Sequence, residues 1–260
     1  MKSSKYNNIE IQIVMLARQI KDGQAIIVGT GLPLIGAVLA KNYYATNCHL
    51  IVETAIMDSC PHETPTSVGD VRFMKGASTL WEQYRYFGLQ SNTLKNNIFD
   101  LGIIGGAQMD PFGNLNSTVI GDYDRPKVRF TGSGGANGIA TFVNTIIMIQ
   151  HEKRRFVEKI DYLTSPGWLD GPEGRKKAGL PANRGPQAVV TDLALLKFDS
   201  QTKRVYVSEY YPGVDLNEII DKTGFEIDIS RAIQAEEPEK EALEILRNQV
   251  DPTGEFIGRN

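Results

Sequence analysis

The sequence predicts an α/β fold organised on parallel strands, and three stretches carry that prediction. Ala25 to Glu53 reads as strand, glycine turn, helix and strand; Ile98 to Ile104 is an apolar run closed by Gly105-Gly106; patterned apolar segments return from Ala188 onward. A strand, a helix and a second strand in that order form a right-handed βαβ unit, whose two strands are parallel and end on the same edge of the sheet.

Taken in chain order, the first element is a helix from about Ile9 to Ile20. Ile9, Ile13, Leu16 and Ile20 recur at helical spacing and Gly23 closes the segment. This helix is expected to pack on the first sheet strand. Ala25 to Val28 is an apolar run bounded by Gly29-Thr30-Gly31, a turn that lets backbone approach a ligand closely. Pro33 suits the first turn of the following helix, whose apolar residues run through Leu34, Ile35, Val38 and Leu39. His49 to Val52 is strand-like again and delivers Glu53 to the edge that carries the glycine turn. Ligands of open α/β sheets bind outside the carboxyl ends of the strands, which makes Glu53 a candidate for chemistry. Position alone favours a solvated strand-end glutamate.

After Glu53, TAIMDSCPHETPTSVGD is too rich in Pro, Thr and Ser for long regular structure, and is expected to be a loop over the crevice. Trp81, Tyr84 and Tyr86 stand among charges at helical spacing, as core aromatics do. Beyond the third strand, AQMDPFGNLNST marks tight turns. In TGSGGANGIATFVNTIIMI, four glycines lie between Gly132 and Gly138 ahead of an apolar run. Amides exposed by such a loop can bind an anion or an oxyanion, and a close-packed turn that only glycine can make is the alternative. The loop has no Walker lysine and no GxGxxG spacing.

His151 to Arg155 (HEKRR) is a charge run of the solvated kind, with His151 a surface or satisfied side chain rather than a base. Asp161 to Pro186 is a Gly- and Pro-rich excursion. AVVTDLALLKFD and RVYVSEYYPG then predict a pair of strands joined by the turn Ser200 to Lys203. The tail from Gln234 to Val250 reads as one charged helix with Leu243, Ile245 and Leu246 as its apolar stripe.

Composition narrows the function classes. A net charge of −3 provides no basic field for nucleic acid or membrane. The first twenty-one residues carry charge throughout and lack a long apolar core, so neither a signal peptide nor a membrane anchor is expected and the chain is read as cytoplasmic. Cys48 and Cys60 flank the Glu53 strand, where a disulfide would be unusual in that compartment. With three histidines and no HExxH or CxxC pattern, no metal is expected. No repeat or low-complexity linker divides the 260 residues, and a single domain over 1–260 is expected.

The residues around Glu53, GGAQMDPFGNLNST, TGSGGANGIAT, MIQHEKRRF, DYLTSPGWLDGP and the C-terminal VVTD and TGFEIDIS segments together resemble the β subunits of family I CoA-transferases, most of all the branch acting on glutaconate. The resemblance covers almost the whole chain. It implies a NagB/RpiA-like α/β fold with an open, mostly parallel sheet flanked by helices. It also implies a partner α subunit of similar fold, in a hetero-oligomer of four α and four β chains with the active site between the two. Glu53 would be the catalytic glutamate. The Thr30 amide of Gly29-Thr30-Gly31 and the amide of Gly134 or Gly135 would match the family's oxyanion positions. Many members carry Ser-Glu-Asn-Gly where this chain has Val52-Glu53-Thr54-Ala55. No permanently bound cofactor is implied: a coenzyme A thioester, acetyl-CoA or glutaconyl-CoA, is a substrate, exchanged with a short dicarboxylic acid. A related branch hydrolyses or ring-opens CoA esters, and Glu53 argues against it. A transferase for 3-oxo acids is the nearer alternative, and a ligand-sensing regulator, for which no helix-turn-helix or basic patch speaks, the more distant one.

Overall fold

The apolar runs of this chain are four or five residues long and alternate between two buried faces, and that pattern builds the central sheet. The computed structural model describes residues 6–59, 61, 63–83, 85 and 98–258. In chain order the strands are β1 (Ala25–Val28), β2 (His49–Val52), β3 (Ile56–Met57), β4 (Thr79–Leu80) and β5 (Leu101–Ile104). Two small hairpins follow, β6 (Gln108–Met109) with β7 (Leu115–Asn116), and β8 (Val119–Gly121) with β9 (Pro126–Arg129). The remainder are β10 (Asn144–Met148), β11 (Pro186–Val190), β12 (Ala194–Phe198), β13 (Val205–Tyr210) and β14 (Ile233–Gln234). Ten of them form one sheet in the order β14-β13-β12-β11-β10-β5-β1-β2-β3-β4. The middle five, β11 to β2, are parallel, as the βαβ reading requires, and antiparallel strands flank them.

Strand alternation divides the core. Ile26, Val28, Leu50, Val52, Leu101 and Ile103 pack into one cluster, with α1 (Asn8–Ala17) and α2 (Leu32–Leu39). Ile27, Ile51, Ile104 and Ile147 pack into the other, with α3 (Ala136–Phe142). The first helix begins one residue before its expected start and is held by a capping box between Asn7 and Glu10. It lies mainly against α2 rather than against β1. Leu16 of α1 fits where Gly36 of α2 has no side chain; a Cβ there would meet Leu16 Cδ2 at 2.6 Å. Two short helices, α4 (Gly174–Lys177) and α5 (Leu216–Asp221), and a C-terminal one, α6 (Lys240–Ile245), follow along the chain.

The stretch after Glu53 holds no long regular structure among its described residues, as expected, and a tight turn returns only Ile56–Met57 as β3 against β2. Three expectations are corrected. The third strand begins at Leu101 rather than Ile98, where the Asp100 carboxylate and amide bond to Ala25. AVVTDLALLKFD is two strands rather than one. Thr191 Oγ1 accepts from the amides of Leu193 and Ala194 and turns β11 back into β12, a hydroxyl-made turn inside an apolar run. The predicted turn Ser200 to Lys203 does join β12 to β13. The tail helix starts late: Gln234 belongs to β14, and Pro238 forces extended chain before α6 begins at Lys240. Tyr84, Tyr86 and Cys60 lie outside the described residues, while Trp81 is half-buried with its ring centroid 6.4 Å from that of Phe99. No helix among the described residues is long and apolar enough to cross a membrane.

Candidate functional site

Parallel register places the site. Val28 of β1 stands opposite Val52 of β2 and Ile103 of β5, so Gly29, Glu53 and Ile104 are the next residues outward on three adjacent strands. Glu53 then enters a three-residue loop, Glu53-Thr54-Ala55, closed by the Ala55 amide donating to the Val52 carbonyl at 2.8 Å and by the pairing of Val52 with Ile56. Three-residue hairpin loops need a left-handed residue in third position, usually glycine. Ala55 holds it, at φ 65°, fully buried, with its carbonyl accepting from the Trp81 amide at 2.9 Å. The Gly of Ser-Glu-Asn-Gly falls on Ala55, so the departure keeps the loop and puts a methyl where glycine is unstrained.

The second component comes from the other side of the crevice. Gly132 (φ 91°) and Gly134 (φ 51°) take conformations that side chains disfavour, and they turn the chain so that Gly135 caps the start of α3. The Gly135 amide is presented toward the Glu53 carboxylate, close enough to favour its ionised form. The helix can come this close because Gly102 of β5 has no side chain: a Cβ there would meet Ile139 Cγ2 at 2.2 Å. Burial pushes the Glu53 carboxyl above its ordinary range, and the nearby Gly135 amide partly offsets that by favouring the ionised form. A half-buried carboxylate with a raised pKa is a better nucleophile than a solvated one once ionised, since basicity and nucleophilicity rise together.

Of the residues singled out from sequence, Gly135 is brought beside Glu53, and Gly134 is the residue just before. Gly29, Thr30 and Gly31 leave the neighbouring strand at the same edge, half-buried, with Gly31 (φ 80°) capping α2 and Pro33 in its first turn. His151 is elsewhere and is not on the surface: it is 1% exposed, stacked on Phe156 and hydrogen-bonded through its two ring nitrogens to Thr191 and Thr223. Burial lowers its pKa to about 4. Cys48 is buried without a disulfide, its thiol pushed up to about 11 by burial.

Sequence reasoning missed Arg175. It lies in the Asp161 to Pro186 excursion, whose turn-forming composition announces no element, and yet it is 1% exposed. Its partners come from the excursion on either side of it and from α3, a convergence no local pattern displays.

Comparison with known proteins agrees with this fold. The chain matches the family described as Coenzyme A transferase over residues 9–222. It is 54% identical over 255 residues to the B chain of glutaconate CoA-transferase from Acidaminococcus fermentans, covering 98% of this chain and 96% of that protein. To the corresponding chain of 3-oxoadipate CoA-transferase from Pseudomonas knackmussii it is 36% identical, covering 94% and 93% respectively. It superposes on the crystal structure of glutaconate coenzyme A-transferase from Acidaminococcus fermentans with a TM-score of 0.95, over 98% of this chain and 99% of that one.

Proposed function

This chain belongs to the coenzyme A transferase family, and from that premise we propose that it is the β subunit of an enzyme that moves CoA between a short acyl-CoA and a small dicarboxylate, with Glu53 as the covalent carrier. The observation that carries this reading is the half-buried Glu53 carboxylate at the strand-end edge with the Gly135 amide presented toward it.

In this reading the amide bonds one carboxylate oxygen and leaves the other for the reaction. The free oxygen attacks the thioester carbonyl, the carbon–sulfur bond breaks, and CoA leaves as thiolate, giving a mixed anhydride between Glu53 and the acyl group. The oxygen on the Gly135 amide is now the glutamyl carbonyl. Attack of the CoA thiolate on that carbonyl turns it into an oxyanion already facing a donor. Collapse expels the first acid and leaves a glutamyl-CoA thioester. A second carboxylate attacks this thioester, and the same steps in reverse deliver CoA to it and return Glu53 ionised. The thioester bond is thus never surrendered to water. The Thr30 amide, at the neighbouring strand end, is the proposed donor for the oxyanion on the substrate carbonyl.

The acid is assigned as a five-carbon dicarboxylate such as glutaconate or 2-hydroxyglutarate, with acetyl-CoA as the partner thioester. In support, the two relatives above are named for dicarboxylates, and the one named for glutaconate shares 54% of its residues over nearly the full length. An α subunit, four of each chain in the assembly, completes the site; in support, each relative is named as one of the subunits of its enzyme. The test is co-expression with an α subunit and an assay of acetyl-CoA against a panel of acids. Glutaconate or 2-hydroxyglutarate should lead, and this chain alone should be inactive. Preference for 3-oxo acids would overturn the acid assignment, and rapid release of free CoA without an acceptor would overturn the transferase reading in favour of hydrolysis.

A further inference from the structure

Arg175 is a buried cation whose hydrogen bonds, among the described residues, all run to backbone carbonyls. Nε donates to Pro181 at 2.9 Å, Nη1 to Ala140 at 3.1 Å, Gly167 at 2.9 Å and Pro166 at 3.4 Å, and Nη2 to Thr141 at 2.6 Å. Burial lowers its pKa to about 10, which still leaves it charged at neutral pH. A desolvated guanidinium is costly unless each donor is satisfied, and nothing in the fold of α4 demands one here.

The acceptors identify what it holds. Ala140 and Thr141 belong to the last turn of α3, whose carbonyls have no partner within the helix and where positive charge is favoured. Pro166, Gly167 and Pro181 belong to the excursion. Gly167 is in turn pressed on Phe112 and Gly113, where a Cβ would lie 2.4 Å from the Phe112 carbonyl oxygen. Near the start of the same helix, Asn137 Nδ2 donates to the Thr164 carbonyl at 2.7 Å, so the excursion grips α3 at two points. A seven-residue helix is about 10 Å long and moves as a rod. Fixing its last turn therefore fixes the axial position of its cap, Gly135.

We propose that Arg175 is a positioning residue for group transfer: it fastens the end of α3 to the 166–181 loops and thereby holds the Gly135 amide on Glu53. This rests on Glu53 being the covalent carrier. Lysine is not an equivalent, because an ammonium is a point charge with three donors and cannot span acceptors arranged around a planar fork.

The test uses Arg175→Lys, Arg175→Gln and Asn137→Ala in the complex with the α subunit, against the unsubstituted complex. Misplacing a reacting group by about 1 Å can cost about 100-fold. Arg175→Lys should lower kcat by about 10- to 100-fold with KM for the acyl-CoA within about threefold, and Asn137→Ala should do the same to a smaller degree. The acid limb of the kcat/KM profile should move to higher pH, because withdrawing the Gly135 amide removes the bond that favours the ionised Glu53 carboxyl. A merely structural residue would lower the melting temperature and leave that limb where it is.

Covalent CoA on Glu53, trapped by borohydride, is measured in the same samples. No label in the unsubstituted complex would refute the Glu53 reading itself. Normal labelling there, together with unchanged kcat and acid limb in Arg175→Lys, would refute only the positioning role. If Arg175→Gln does not assemble, the other two variants decide. Failure of Arg175→Lys to assemble would place the residue in folding and overturn the proposal.

Discussion

The turn Gly29-Thr30-Gly31 and the loop Gly132 to Gly135 are built from the same residue type, stand at the same edge of the sheet and each open a helix. They differ in what their helix rests on. The first feeds α2, which is seated by apolar packing, with Leu16 in the gap at Gly36. The second feeds α3, which is seated on Gly102 and also tied at both ends by Asn137 and Arg175, and its cap residue presents its amide to the Glu53 carboxylate. Apolar packing tolerates small slides. A polar contact on a carboxylate does not, because the strength of a hydrogen bond falls steeply with distance and angle. The difference teaches that a glycine-rich turn is marked as part of a reaction centre less by its glycines than by the polar ties that keep its helix from moving.

The largest effect should come from deleting the amide itself. Gly135 has φ −74°, within the range proline adopts, so Gly135→Pro removes the N–H while keeping that dihedral. Turnover by the assembled enzyme should fall by about 100- to 1,000-fold, the usual loss of one oxyanion donor. A fall of less than about threefold would break the contrast between the two turns.

A matched pair of substitutions sharpens it. Gly36→Ala forces a methyl against Leu16 and Gly102→Ala forces one against Ile139. Each should cost about 1–3 kcal/mol of stability, the usual penalty of overpacking, measured by denaturant unfolding. Only Gly102→Ala displaces α3, so only it should also lower kcat, by about 10-fold. Equal loss of activity in both would mean that α2 is held as critically as α3.

The smallest effect separates stability from catalysis. His151 is neutral in the fold, with its pKa lowered from 6.5 to about 4 by burial, and its ring is held by Thr191 and Thr223, away from the Glu53 turn. A group held neutral in this way contributes stability that is fully present above its unfolded pKa and is lost as pH falls from about 6.5 toward 4. The loss should reach on the order of 3 kcal/mol at the bottom of that window. Replacing His151 with Gln should flatten the pH dependence of the melting temperature below pH 6.5 and leave kcat at neutral pH unchanged. A shift in kcat there would tie His151 to the site.

How much of this was legible follows from where the information sits. β1 and β2 are readable to the residue because Ala25–Val28 and His49–Val52 are apolar runs cut off by glycine, by Glu53 and by polar chain, and the parallel register with Glu53 at its end follows from them. β3 was not legible, since two residues make no period and their pairing depends on the left-handed Ala55. The β11–β12 turn was hidden because Thr191 makes it by hydroxyl bonds within an apolar run. The tail helix was overextended by following charge past Pro238. At the site, composition points to Gly134 and Gly135 equally, and the approach of Gly135 to Glu53 depends on α3 docking at Gly102, some thirty residues away in sequence. Arg175 was invisible for a related reason: its role is defined by carbonyls between Ala140 and Pro181 that only the folded chain gathers.

The central claim is that Glu53 carries the CoA, and one measurement addresses it without intermediaries. The assembled enzyme is incubated with acetyl-CoA and no acceptor acid, reduced with borohydride, digested and mapped by mass. A glutamyl thioester is reduced to the alcohol, so the peptide with Glu53 should lose the mass difference between a carboxyl and a hydroxymethyl group, activity should vanish in step, and a Glu53→Gln complex should show neither change. Modification at another residue, or near-normal turnover in Glu53→Gln, would contradict the account.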